Sequence, residues 1–263
     1  MIEYRLKTLP ERLENILNEI GAFIAEEEFK GGKSYLVYAS ENIDDFLSGF
    51  NVEFSSKSVE ETGWQNKWKE FINEGWLNNS VYFVFEPKSF PDNRKTVFIN
   101  PALAFGTGTH GTTRIAARLL EDISQGRTML DIGTGSGILS IAASVMGAKM
   151  IWSFDADPMA MPNCLENISN NNIQNIHIWA GDTSSLKKGL KFNIVCANII
   201  SSVLISIKDE VSAMAKDFII YSGILQTEYD EIISKLVPNG WSVDAKLEID
   251  EWCGVRLKNN NHV

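Results

Sequence analysis

From about residue 95 onward, the chain alternates short apolar runs with amphipathic stretches. Residues 128–132, 150–154, 176–179, 192–197 and 218–221 are five such runs. Each has strand length, and several are rich in β-branched or aromatic residues. Between or after them, 138–146, 160–167, 203–215 and 228–236 carry helical patterns, and 114–122 precedes the first strand as a further helix. Residues 241–247 and 252–257 read as a terminal antiparallel pair. Strand and helix in alternation predict a doubly wound, Rossmann-like α/β domain with a mostly parallel sheet.

The first 55 residues have a different rhythm. Residues 2–6 alternate like a strand. Pro10 opens a helix with Leu13, Ile16, Leu17 and Ile20 on one face. A strand at 22–29, a turn at Gly31-Gly32, a strand at 34–39, a helix at 43–50 and a strand at 51–55 follow. This β-α-β-β-α-β order is the ferredoxin-like pattern of a small α+β domain. It carries no residue of obvious chemistry, so binding or positioning is its expected use. Residues 59–76 place Trp64, Trp68 and Phe71 at i, i+4 and i+7, with Trp76 beyond, and read as a linker helix whose aromatic face packs on a domain. The expected division is 1–56 for the small domain, 57–78 for the linker and 79–263 for the α/β domain.

The chemistry concentrates after the strand at 128–132. Gly133, Gly135 and Gly137 give G-x-G-x-G, the following helix ends near Gly147, and the next strand ends on Asp155 and Asp157. Glycines at such a turn let backbone and ligand approach closely, and an acid at the next strand end can hold two ribose hydroxyls. The dinucleotide fingerprint would need glycine at 138, where Ile138 stands. Asp131 precedes the turn, and a carboxylate suits a cationic amino group better than a phosphate. These features point to S-adenosylmethionine, its methionyl end near the glycine turn and its ribose on Asp155. A nicotinamide-dependent oxidoreductase is the rival reading that the glycine spacing disfavours.

Upstream, residues 100–113 read NPALAFGTGTHGTT, a glycine- and hydroxyl-rich loop placed to close over a ligand. Thr112 and Thr113 are expected to cap the helix behind it. His110 is not assigned catalysis, because a lone loop histidine is more often structural. Asp182, after the third strand, is placed either to meet an adenine amino group or to cap the next turn. Asn198 closes the fourth strand, where polar residues face the ligand crevice of a parallel sheet.

The chain has 263 residues and a net charge of −10. The basic footprint of a nucleic-acid binder is absent, and an acidic surface favours a basic partner. Three cysteines at 164, 196 and 253 show no metal spacing and no disulfide framework. The N-terminus lacks an apolar signal core, and no run has transmembrane length. A soluble, cytoplasmic protein is expected, with neither metal nor membrane.

Three motifs, AFGTGTHGTT at 104–113, LDIGTGSGILSIAA at 130–143 and ANII at 197–200, with a weaker EWC at 251–253, resemble the PrmA family. These bacterial enzymes methylate protein eleven of the large ribosomal subunit. The likeness spans roughly residues 60–257. It implies a class I methyltransferase domain in which Thr113, Gly133, Asp155 and Asn198 contact S-adenosylmethionine, with Phe105 and Gly135 lining the site. It also implies methylation of lysine side chains and the N-terminal amine of that ribosomal protein, with recognition by the small N-terminal domain. Asn198 is expected to orient the amine without a dedicated base, and the protein to act as a monomer. Gly111 departs from the proline often found there, a change that loosens the loop and leaves its hydroxyls in place. A methyltransferase of another protein, or a non-catalytic ribosome-binding protein on the same fold, are the remaining alternatives.

Overall fold

The computed structural model describes residues 2–19, 22–29, 32–39, 42–50, 52–58, 74–88, 90, 92, 94–100, 106 and 108–261, with backbone alone at 11, 15, 18, 19, 23, 25–29 and 32. The chain divides into two compact units, residues 1–73 and 74–263.

The first unit runs β1 (Ile2–Leu6), α1 (Glu11–Glu19), β2 (Phe23–Phe29), β3 (Gly32–Ala39), α2 (Asp44–Gly49) and β4 (Phe54–Ser58). Its sheet has the order β2-β3-β1-β4, with every neighbouring pair antiparallel. Tyr4 and Leu6 of β1 point into one core with Leu13 and Leu17 of α1, Val37 of β3 and Leu47 of α2. The buried Tyr4 hydroxyl accepts the Ile43 N–H at 2.9 Å, tying the start of α2 to the sheet. The last strand lies later than the 51–55 expected from sequence. Pairing decides this: Phe54 lies opposite Leu6 and Ser58 opposite Ile2, and the Phe54 ring packs on Tyr4 at 5.9 Å.

The expected linker, 57–78, is shortened at both ends, and its helix, expected over 59–76, does not reach residue 75. Lys57 and Ser58 complete β4, and Gly75–Trp76 forms a short strand, β5. Trp64, Trp68 and Phe71 lie outside the described residues. Strand β5 pairs with β6 (Val81–Val84) because Asn78 builds the turn between them. Its Oδ1 accepts the N–H groups of Ser80 and Val81, at 3.0 and 2.8 Å. Strand β7 (Lys95–Phe98) then pairs parallel to β6. Arg94 closes this small sheet, its guanidinium 4.4–5.0 Å from the ring centres of Trp76, Tyr82 and Phe90.

The large sheet has seven strands: β8 (Thr128–Ile132), β9 (Met150–Asp155), β10 (Ile176–Ala180), β11 (Phe192–Asn198), β12 (Ala215–Leu225), β13 (Trp241–Ile249) and β14 (Trp252–Asn259). Their order is β10-β9-β8-β11-β12-β14-β13. The first five are parallel, and β14 is antiparallel to both its neighbours. Helix α3 (Gly111–Leu120) precedes β8, and α4 (Ile138–Val145), α5 (Ala160–Asn170), α6 (Ser201–Met214) and α7 (Tyr229–Leu236) lie in the connections between later strands. This is the Rossmann-like arrangement predicted from the alternating pattern. Leu130 and Ile132 of β8 join a core with Leu204 and Val211 of α6 and Ile232 of α7. Asp131 points to the other face and meets Ser140 of α4.

Strand β12 is longer than the expected 218–221. It begins where α6 ends and continues past a bulge between Ser222 and Ile224. The bulge centres on Gly223, at φ +90°.

Candidate active site

Strand order reverses between β8 and β11: the connections from β8 run one way and those from β11 the other. Ligands of such sheets bind at that switch point, at the carboxyl ends of the strands. Four of the residues expected from sequence stand there. Gly133 and Gly135 follow β8, Asp155 ends β9 and Asn198 ends β11.

The turn after β8 explains its glycines. Gly133, Gly135 and Gly137 have φ of +73°, +52° and +82°. A side chain is disfavoured in that region. Space adds a second reason: a Cβ on Gly133 would sit 2.5 Å from Ile199 Cγ2, and one on Gly137 2.7 Å from Cys164 Sγ. The turn is fixed from the neighbouring strand. Gly133 and Thr134 donate their N–H groups to Phe154 O, and Gly135 N–H donates to Asp155 Oδ2 at 2.8 Å. The other carboxylate oxygen of Asp155 accepts the Asp157 N–H at 3.0 Å.

Asp131 is buried and serves the turn from beneath. Its Oδ2 accepts from Thr134 Oγ1 at 2.8 Å and Ser140 Oγ at 2.6 Å, and Ser140 contacts Ser153 Oγ at 2.7 Å. Burial pushes its carboxyl from the ordinary 3.8 up to about 6, against the two hydroxyls that pull it down. The folded protein therefore holds this proton more tightly than the unfolded chain. The stabilisation is complete below about pH 4 and is lost as pH rises through about 6. Asp131→Asn keeps an acceptor for both hydroxyls and removes the buried charge. Urea unfolding at pH 5 and pH 7.5 is expected to show the variant gaining on the parent by roughly 1–1.5 kcal/mol at the higher pH.

Helix α3 brings the fifth expected residue, Thr113, to the same place. Ser222 Oγ donates to Thr112 O at 2.9 Å, seating its first turn on β12. At the other end Arg256 of β14 donates to Leu119 O at 3.0 Å and pairs with Asp122. Thr113, fully buried, accepts the Asn198 Nδ2–H at a long 3.5 Å. The carboxamide oxygen of Asn198 is buried and, among the described residues, has no hydrogen-bond partner. A buried acceptor of this kind is costly unless something donates to it.

The helix cap differs from expectation. His110, not Thr112 or Thr113, is the N-cap: its Nδ1 accepts the Thr112 N–H at 3.4 Å and lies 2.8 Å from Thr112 Oγ1. That pattern assigns the ring proton to Nε2. The imidazole packs on Trp252 at 5.2 Å, and burial lowers its pKa against the pull of Glu251 and Asp250. Asp182 caps the turn after β10, accepting Ser184 N–H at 2.8 Å at the start of a 3-10 turn.

The loop before α3 meets the glycine turn directly. Ser136 Oγ donates to Gly106 O at 2.5 Å. A Cβ on Gly108 would lie 2.8 Å from Ile138 and 3.0 Å from Phe83, so only glycine lets the loop pass. Phe105 lies outside the described residues. A depression lined by Lys191, Asn193, Lys216 and Asn259 sits at the amino ends of β11 and β12, away from this crevice.

The donor set can be tested against a ligand class. A left-handed glycine turn flanked by two carboxylates suits a cation-bearing ligand, and repels a pyrophosphate. The open acceptor on Asn198 suits an N–H donor. S-adenosylmethionine, with its ammonium and sulfonium, fits this set.

Comparison with known proteins agrees with the geometry. A profile of the ribosomal protein L11 methyltransferase (PrmA) family matches residues 7–260. The ribosomal protein L11 methyltransferase of Streptococcus pneumoniae serotype 2 is 33% identical, over 80% of this chain and 68% of that protein. The crystal structure of a ribosomal protein L11 methylase from Lactobacillus delbrueckii subsp. bulgaricus superimposes with a TM-score of 0.65 at 27% identity, covering 72% of this chain and 99% of that one. A tRNA m1G37 methyltransferase of M. jannaschii, at 16% identity and a TM-score of 0.51 over 99% of each chain, shares the fold. The match over nearly the whole length, on a sheet whose switch point carries the glycine turn, Asp155 and Asn198, makes this chain a methyltransferase and a member of the ribosomal protein L11 methyltransferase family.

Proposed function

We propose that this enzyme transfers methyl groups from S-adenosylmethionine to amino groups of ribosomal protein L11, on lysine side chains and the N-terminal amine. The observation that carries the reading is the buried Oδ1 of Asn198, without a hydrogen-bond partner among the described residues, beside Thr113 at the switch point. Bound in the crevice, S-adenosylmethionine supplies a methyl already activated on a sulfonium. The glycine turn would hold its amino-acid end and Asp155 its ribose, with Gly135 beside it.

The protein's remaining task is to deliver a neutral amine in line with that methyl. A lysine of ordinary pKa, about 10.4, is neutral in only about one molecule in a few thousand at pH 7. Desolvation beside the cationic donor lowers that pKa. Asn198 Oδ1 accepts one amine N–H, leaving the lone pair aimed at the methyl. The Thr113 hydroxyl holds the carboxamide so that its oxygen, not its nitrogen, faces the amine. His110 already spends its Nδ1 acceptor on the α3 cap, so it is not assigned as the base.

The N-terminal unit, of ferredoxin-like element order, is assigned to substrate recognition, and the protein to the cytoplasm, where ribosomes are. Among the described residues no helix is long and apolar enough to cross a membrane. The overall charge of −10 favours a basic partner.

The test is transfer of labelled methyl from S-adenosylmethionine to the ribosomal proteins of the source cell. Label is expected on a single large-subunit protein. Asp155→Ala is expected to reduce labelling at limiting donor by about 10²-fold, since it removes a charge-assisted anchor for the ribose and a support of the turn. Donor binding without any labelled ribosomal protein would refute the substrate and leave the chemistry standing.

A further inference from the structure

Helix α5 carries asparagines at 163, 167 and 171, the last at its C-cap. They are spaced i, i+4 and i+8, so they share one face. That face meets the edge of β7 that β6 leaves open. Asn171 accepts the Phe98 N–H at 2.8 Å and donates to Phe98 O at 2.6 Å, as a neighbouring strand would. Asn167 accepts the Asn100 N–H at 2.7 Å. Asn163 donates to Asn100 O at 2.9 Å. The ladder thus replaces a missing strand, which explains three asparagines in a helix where their propensity is poor.

The middle rung does more. Asn167 is fully buried, and its Nδ2 donates at 2.9 Å to Ser136 O, inside the glycine turn. Ser136 in turn holds the loop through Gly106 O. One carboxamide therefore spans two segments of the crevice, the turn after β8 and the chain entering the loop at Asn100.

We propose that Asn167 is a positioning residue for the methyl donor. It sets the spacing between the glycine turn and the loop that borders the crevice. Asn171 makes comparable bonds to backbone without touching the turn, and so is the matched control. The inference rests on the donor reading above.

The experiment measures S-adenosylhomocysteine affinity and thermal midpoint for the parent, Asn167→Ser, Asn167→Asp and Asn171→Ser proteins. The serine variants are expected to lose similar thermal stability. Only the two Asn167 variants are expected to bind S-adenosylhomocysteine about tenfold more weakly, the equivalent of one hydrogen bond's worth of free energy. In turnover, KM for the donor is expected to rise by a similar factor, with kcat at saturating donor nearly unchanged. Asn167→Asp keeps the acceptor for the Asn100 N–H and loses the donor to Ser136 O, with its longer 3.4 Å bond to Asn100 O, so it reads the bridge even if the serine variant fails to fold. An affinity for either Asn167 variant within twofold of Asn171→Ser overturns the proposal. A parent protein that does not bind S-adenosylhomocysteine overturns the donor reading, and this role with it.

Discussion

An Asn198→Ala enzyme is expected to lose about 10²-fold in kcat while remaining folded. The carboxamide oxygen is a buried acceptor with no partner among the described residues, so none of their hydrogen bonds is lost with it. Its amide group makes one long bond, to Thr113, and alanine leaves that hydroxyl free to turn elsewhere. The loss therefore falls on alignment of the incoming amine, and a misplacement of about 1 Å costs on the order of 10²-fold in rate. Single-turnover methyl transfer with saturating donor isolates this step. Asn198→Asp makes the contrast sharper. It preserves shape and an acceptor but adds a charge that holds an approaching amine in its protonated, unreactive form. Its rate is expected to be as low as alanine's at neutral pH and to recover in part at alkaline pH. Full turnover in Asn198→Ala would remove this residue from the mechanism.

The second large effect is expected at Gly223, which no catalytic argument singles out. It sits in the bulge of β12 at φ +90°, and a Cβ there would lie 2.5 Å from the carbonyl oxygen of Ile199. The obstacle is backbone, which a side-chain rotation cannot relieve. Alanine must accept a disfavoured φ and displace the segment after Asn198. Strain and overpacking together are expected to cost about 3 kcal/mol. For a unit of this size that lowers the thermal midpoint by about 10 °C. The displaced segment carries the Asn198 carboxamide with it, so methyl transfer is expected to fall further than the stability loss alone explains. A Gly126→Ala protein is the control for φ by itself: Gly126 lies at φ +72° with open space where its Cβ would be. Calorimetry on the two variants separates strain from collision.

Both predictions rest on residues that the sequence treats unequally. Asn198 is legible because an apolar run ends on it, and the ends of parallel strands face the crevice. Gly223 is visible only as a glycine after a strand, since the carbonyl it must avoid belongs to residue 199, in the turn that follows β11. The same contrast recurs at α3. The pattern TTR followed by an apolar run places a helix start correctly within a few residues. It cannot say that the cap is His110, because the imidazole is held there by Trp252, a residue some 140 positions later. Strand β4 was displaced for a similar reason: its alternation is weak, and pairing with β1 sets its limits.

What the sequence determined by itself follows from short-range physics. Period-two and period-3.6 apolar patterns fix strand and helix locally, and their alternation dictates a parallel sheet with a switch point. A glycine-rich turn between an apolar strand and a helix then marks the ligand side of that sheet. Tertiary structure alone decided the contacts between segments far apart in the chain. It brought Thr113 within 3.5 Å of Asn198, 85 positions away. It also ran the Asn163, Asn167 and Asn171 ladder along β7, and turned Asp131 into a buried support of the turn. Each of these depends on where two separately formed elements come to rest. That placement is set by core packing and by the need to satisfy buried polar groups, which no local pattern encodes.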